Sequence, residues 1–254
     1  MCLINFHFQD HPNYRLIVAA NRDEFYERPT APAHFWEDKP YLLAGRDLLQ
    51  RGTWLGVTKN GRFAALTNYR DASEQTKDVR SRGEIVTGFL DSNVTAAEFL
   101  KLLQQKRAEY AGFNVIVGTA DELLYYSNIE NEVKKVSPGT HGLSNHFLDT
   151  RWPKVVKGKK GIRKLVEQNR IIKPEELFDV LQDAEPFPDE QLPNTGVGEQ
   201  WERVLSSLFI KSDRYGTRSA TVLLIDHENN ITFVERTYQN GEFIEDRTFT
   251  FQME

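Results

Sequence analysis

Strand-patterned segments open and close this chain and helical ones fill its middle, an order that restricts the fold more than any other property. From Cys2 to Phe8 the residues alternate, with Leu3, Asn5 and His7 on one face and Ile4, Phe6 and Phe8 on the other. Turn chemistry at Asp10-His11-Pro12-Asn13 precedes the β-rich run Leu16-Ile17-Val18-Ala19-Ala20. The first 24 residues therefore read as a hairpin whose second strand ends in the charged cluster Asn21-Arg22-Asp23-Glu24. Thr53 to Thr58 and Phe63 to Asn68 flank Asn60-Gly61, a pair suited to a type I′ turn, which places Asn68 at a strand end. Strands are also expected at Phe113 to Thr119, at Leu123 to Asn128 and in a short run up to Leu143-Ser144-Asn145. Near the C-terminus, Thr221-Val222-Leu223-Leu224-Ile225 is nearly continuous and apolar, as in a strand buried on both faces. Ile231 to Tyr238 and Glu242 to Phe251 follow as further strands.

Helices are expected at about 82–91 and 96–110, each after a capping box: Ser81 with Glu84, and Thr95 with Glu98. Further helices are expected at about 153–168, 174–183 and 199–209, with Pro174 in a first turn where its missing N–H costs nothing. Runs of strands separated by runs of helices argue for an α+β fold with mainly antiparallel sheets, not the strict alternation of a doubly wound one. With no repeat, low-complexity tract or linker-like stretch, residues 1–254 read as a single domain.

Composition narrows the partners. A hydrophobic content of 39% with sixteen Phe suits a packed globular core. A net charge of −5 gives no general attraction to nucleic acid, and no apolar run approaches the ~18 residues of a bilayer span. The first ten residues lack the pattern of a secretory signal, so a cytoplasmic protein is expected. The basic run Lys154 to Lys164 reads as a solvated helix face. Gly196-Val197-Gly198 lacks the third glycine of a dinucleotide fingerprint and reads as a loop that starts a helix. The six histidines, including His141 and His146, show no metal-ligand spacing, and neither metal nor cofactor is expected.

The single cysteine excludes an intrachain disulfide, and its place directly after Met1 gives it a second meaning. Once Met1 is removed, Cys2 carries a thiol and a free α-amine, with ordinary pKa values of about 8.5 and 8. The neutral amine then takes the thiol proton, so one residue supplies nucleophile and base. Such a site also needs a cation for the thiolate, an orienting carboxylate and donors for an oxyanion. Arg22 and Asp23 end the strand that hairpins back beside Cys2, Asn68 and Asn145 stand at two other strand ends, and Arg218 begins the long C-terminal strand.

These pieces carry a resemblance. Met1-Cys2, Asn21-Arg22-Asp23-Glu24, Gly52-Thr53-Trp54-Leu55-Gly56, Leu66-Thr67-Asn68-Tyr69, Gly142-Leu143-Ser144-Asn145 and Gly216-Thr217-Arg218-Ser219 resemble the NRDE family, also called the transport and Golgi organisation family, across essentially the whole chain. More faintly the pattern resembles the N-terminal-nucleophile (Ntn) hydrolases of the bile-salt hydrolase and penicillin V acylase type. The resemblance implies a four-layer αββα sandwich, with Cys2 as nucleophile, Arg22 beside it, Asp23 as orienting carboxylate, Asn68 and Asn145 as oxyanion donors and Arg218 as stabilising cation. The function expected is hydrolysis or acyl transfer at a linear amide of a small acylated substrate. The alternative from a different class is a non-catalytic carrier of haem or another hydrophobic ligand, a theme also associated with the family.

Overall fold

The computed structural model describes residues 2–73 and 79–254; Met1, whose removal would free the Cys2 amine, lies outside the described residues. One six-stranded sheet contains β1 (Cys2–Phe8), β2 (Tyr14–Phe25), β10 (Gly139–Leu143), β11 (Tyr215–Asp226), β12 (Asn230–Gln239) and β13 (Glu242–Gln252), ordered β10-β1-β2-β11-β12-β13. A seven-stranded sheet runs in sequence order through β3 (Thr30–Trp36), β4 (Lys39–Asp47), β5 (Leu55–Thr58), β6 (Phe63–Asn68), β7 (Phe113–Gly118), β8 (Leu123–Ser127) and β9 (Glu132–Lys135). Every pairing between these strands is antiparallel.

Side-chain alternation stacks the layers. In β2, Leu16 and Val18 point into a core shared by the two sheets, where they meet Leu43, Val57, Phe63 and Ile116 of the second sheet. Their neighbours Ile17 and Ala19 point the other way, onto Ile162 of helix α3 (Pro153–Val166) and Leu177 and Phe178 of helix α4 (Pro174–Leu181). The outer face of the second sheet packs Leu66, Val115 and Tyr126 against Val86 and Phe89 of α1 (Gly83–Leu90) and Leu100 of α2 (Ala96–Gln105). The result is the α+β, four-layer αββα sandwich. β11 is buried on both faces, Leu223 and Ile225 between the sheets and Val222 and Leu224 under the helices. No helix among the described residues is long and apolar enough to cross a membrane.

Several local details differ from the sequence pattern. The hairpin β3–β4 has no clear alternation because its register breaks between Ala31 and His34, around Pro32, which has no N–H for the ladder. The Thr95–Glu98 capping box forms, but Ser81 caps nothing: Glu84 instead accepts from the Tyr110 hydroxyl and pairs with Arg80. At Asn60-Gly61 only Gly61 has positive φ (76°), with Gly61 N–H donating to Thr58 O, so the turn is not type I′. Asn240-Gly241, with φ of 54° and 78°, has the two left-handed residues such a turn requires. The last helix, α5 (Glu199–Val204), is shorter than the expected 199–209.

The closest approach of α3 to β1 is made through glycine. A Cβ on Gly158 would lie 2.3 Å from Asn5 Nδ2, and one on Gly142 would lie 2.8 Å from Val155. Asn5 is fully buried, so its short amide has nowhere to move. Alanine at 158 gains up to ~1 kcal/mol of helix propensity and loses about 1–3 kcal/mol to overpacking. Gly158→Ala is therefore expected to lower the thermal midpoint by a few degrees, measured by calorimetry; an unchanged or raised midpoint would show that the helix does not seat on Asn5.

Candidate functional site

Cys2 starts β1 and stands opposite Arg22 in β2, and Arg22 stands opposite Ser219 in β11. Ser219 is paired in turn with Thr237 of β12. Because Cys2 lies two residues from Ile4, which faces the inter-sheet core, strand periodicity brings this row to the same side. There the two sheets splay into a cavity of roughly 590 Å³, within the range of small-molecule sites. Cys2, Arg22, Asp23, Asn68 and Arg218 all line it.

Asp23 follows Arg22 and turns toward the helical side, though it reaches the cavity at the strand end. Thr217 fixes it: the Thr217 hydroxyl donates to Asp23 Oδ1 at 2.7 Å and accepts from the Ile210 N–H at 2.9 Å. The Tyr215 hydroxyl holds the Asp23 carbonyl at 3.0 Å. The β2–β11 register jumps from Asp23–Thr217 to Arg22–Ser219, leaving Arg218 as the extra residue of a bulge. Its Nη1 then donates to the carbonyls of Phe25, Tyr26 and Arg28, closing the cavity wall.

Charge is unevenly satisfied. Arg22 is 7% exposed and lies 4.0 Å from Glu24, and its buried Nη1 finds no hydrogen-bond partner among the described residues. Burial pushes the Cys2 thiol up and Asp23 adds to that, while Arg22 and the Asp23 backbone N–H, which bonds the sulfur, favour the thiolate. Burial also raises Asp23, against the pull of Lys154, Arg70 and the Thr217 hydroxyl. A free thiol in this setting is a poor nucleophile until a cation or base offsets its desolvation.

The two asparagines are placed differently. Asn68 ends β6 on the cavity wall, and its side-chain amide makes no hydrogen bond to the described residues. Asn145 is fully buried behind that wall, where its Nδ2 donates to the Asn68 carbonyl at 3.0 Å and its Oδ1 accepts from Ser144 Oγ at 3.2 Å. The same Ser144 hydroxyl lies 3.1 Å from the Cys2 carbonyl, its single proton shared between the two acceptors, so the segment just after β10 links the Cys2 and Asn68 strand ends. Among the described residues no histidine lines the cavity; His141 pairs with Asp149 and His146 packs against Tyr69, Phe147 and Trp152.

Four charged residues of this region were not recognised as buried from the sequence pattern. Arg70 and Glu202 form a buried ion pair at 2.7 Å, with side chains 4% and 5% exposed. Lys154, expected on a solvated face, is instead 2% exposed. Glu235 of β12 lines the cavity at 4% exposure, accepts the Ala33 N–H at 2.6 Å, and is raised by burial to about 7. Its signal was available, since Glu235 continues the alternation of Ile231 and Phe233 on the core-facing side.

The raised Glu235 value has a stability consequence. Its folded-state value exceeds the ordinary carboxylate one, so stability present at low pH is lost as pH rises through the usual carboxylate range to about 7. Glu235→Gln keeps an acceptor for Ala33 without the charge. The variant is expected to exceed the wild type in unfolding free energy at pH 8 by on the order of 2–3 kcal/mol, the difference shrinking toward pH 5. Urea denaturation at both pH values measures this, and a pH-independent difference would contradict it.

The same architecture is found in solved structures with little sequence in common. A mutant of the conjugated bile acid hydrolase from Clostridium perfringens superposes with a TM-score of 0.54 at 10% identity, covering 100% of this chain and 98% of that one. The Caenorhabditis elegans ortholog of N-acylethanolamine-hydrolyzing acid amidase gives 0.51 at 11% identity, with 88% and 92% covered. At such identities the likeness is one of fold, that of the Ntn hydrolases. Among sequences, the human Transport and Golgi organization protein 2 homolog is 37% identical over 276 aligned positions, covering both chains completely. The mouse homolog is 35% identical, with 99% of this chain and 98% of the relative covered. The model of the family described as Transport and Golgi organisation 2 matches residues 1–240, and with these full-length relatives it establishes that the chain belongs to that family.

Proposed function

We propose that this protein is an N-terminal-nucleophile amidohydrolase or acyltransferase that acts on a linear amide of a small acylated substrate through a thioester on Cys2. The observation that carries the proposal is the meeting of Cys2, Arg22, Asp23 and Asn68 on one cavity of small-molecule size. The relatives of like fold are named for hydrolysis of an acylethanolamine and of conjugated bile acids, which are acyl-amide chemistries.

With Met1 removed, the Cys2 α-amine takes the thiol proton and the sulfur attacks the amide carbonyl carbon. The developing oxyanion is stabilised by the Asn68 amide, held in place by Asn145 through the Asn68 carbonyl. Arg22 offsets the burial of the thiolate, Asp23 orients the α-ammonium, and Arg218 keeps the strand end and the cavity wall in register. The α-ammonium returns its proton to the nitrogen as the carbon–nitrogen bond breaks, and the amine departs. Water, or an acceptor in the transfer reaction, then attacks the thioester and regenerates the thiol. The lone unpaired thiol suits a cytoplasmic setting, where cysteines stay reduced.

A panel of N-acyl amides assayed by mass spectrometry tests the proposal. Cys2→Ala is expected to abolish turnover, and Asn68→Ala to lower kcat about 10²- to 10³-fold, the usual cost of one oxyanion donor. Turnover by Cys2→Ala at the wild-type rate would sink the mechanism.

A further inference from the structure

Glu235 is the innermost polar residue that β12 gives the cavity, and the chemistry above leaves it without a role. Every second residue of β12 faces the space between the sheets: Ile231 and Phe233 pack in the core, whereas Glu235, Thr237 and Gln239 line the cavity. Across the sheet Glu235 stands opposite Thr221, Thr221 opposite Ala20, and Ala20 opposite Ile4 of the core. This row is one step deeper than the row of Cys2, Arg22, Ser219 and Thr237. Three strand spacings and two residues along the strand separate the Cys2 and Glu235 backbones by roughly 16 Å. A ligand whose carbonyl reaches Cys2 thus meets Glu235 with its far end.

The Glu235 carboxyl is anchored but lacks a counter-charge. The Ala33 N–H of β3 donates to Oε1 at 2.6 Å, and the Ser219 hydroxyl also favours the ionised form. Glu24, Asp47 and Glu245 line the same cavity, and each has an arginine within 4.0 Å. Among the described residues Glu235 has no ion pair; Arg22 lies against Glu24 and Arg247 against Glu245. A Cβ at position 45 would stand 3.2 Å from Glu235 Oε2, so Gly45, itself on the cavity wall, leaves that oxygen uncrowded. A carboxyl buried this deeply is completed by a donor that carries positive charge. A carboxylate at the base of a pocket sets selectivity for cationic side chains in serine proteases by the same means. Trp54 and Leu66, which line the cavity from the second sheet, are left for an apolar acyl group.

We propose that Glu235 is a specificity-determining residue of this cavity and selects acyl amides of diamines, whose free ammonium end pairs with its carboxylate. The inference rests on the reading of this cavity as the substrate site, but not on turnover.

The test is calorimetric titration of the full chain carrying Cys2→Ala, at pH 8, with N-(5-aminopentyl)hexanamide and its neutral isostere N-hexylhexanamide. The ammonium amide is expected to bind about tenfold more tightly or better, the worth of one charge-assisted hydrogen bond. Adding Glu235→Gln, which keeps an acceptor for Ala33, is expected to abolish that preference and leave the neutral amide within about twofold. Equal binding of the two amides with Glu235 present, binding of neither, or a preference that survives Glu235→Gln overturns the proposal. Where Glu235→Gln does not fold, the Glu235 carboxyl carbon is titrated by NMR in labelled protein. The ammonium amide, and not the neutral one, is expected to lower its midpoint, and an unmoved midpoint refutes the pairing. An amidase that prefers the neutral amide would retain the nucleophile proposal and sink this one, whereas selective binding of the ammonium amide without cleavage would do the reverse.

Discussion

The pairing of β2 with β11 is the constraint on which the rest depends. It fills the centre of the first sheet, supplies both the inter-sheet core and the floor under α3 and α4, and changes register at Arg218 beside the site and again at its far end, between Ile225 and Asp226. Above the bulge the alternation of β2 sends Arg22 into the cavity, and at the bulge Thr217 meets Asp23. Without the extra residue, Thr217 would fall out of register with Asp23 and the carboxyl would lose the hydroxyl that holds it. Core packing and site geometry are therefore set by the same hydrogen-bonded ladder.

The site is under electrostatic tension that this ladder keeps in place. Cys2, Asp23, Arg70, Lys154, Glu202 and Glu235 are all nearly or fully removed from water, and burial disfavours the charged form of each group whose ionisation shifts. Isolated, the Cys2, Asp23, Lys154 and Glu235 side chains would be pushed toward their neutral forms; arranged together, the charges offset part of that desolvation. A protein that needed only stability would fill these positions with apolar side chains, since buried ion pairs seldom improve on well-packed hydrophobes. Their concentration near one thiol is what supports the proposal of a functional site here.

Much of this was legible in the residues. Strand periodicity located β1, β2, β6 and β11, and with them the ends that carry Cys2, Arg22, Asp23 and Asn68 onto one cavity. Asn145 shows where local pattern stops: its position at a strand end was visible, but its engagement with the Asn68 carbonyl depends on how β6 and β10, in different sheets, come together. The hairpin β3–β4 was hidden by Pro32 and by an irregular register. Lys154 was misplaced because the basic run around it resembles a solvated face, although Lys154, Gly158, Ile162 and Val166 fall at four-residue intervals on the buried stripe of α3. A charged residue on an apolar stripe, like Glu235 in its strand, was the available sign of buried charge.

The central claim is that Cys2, once it becomes the N-terminal residue, attacks an acyl amide. It is tested most directly by the intact mass of the protein isolated from its own cells, before and after an acid quench from saturating acyl-amide substrate. The account predicts a chain lacking Met1 that gains the mass of one acyl group on Cys2. A chain that retains Met1 uniformly and acquires no adduct contradicts it.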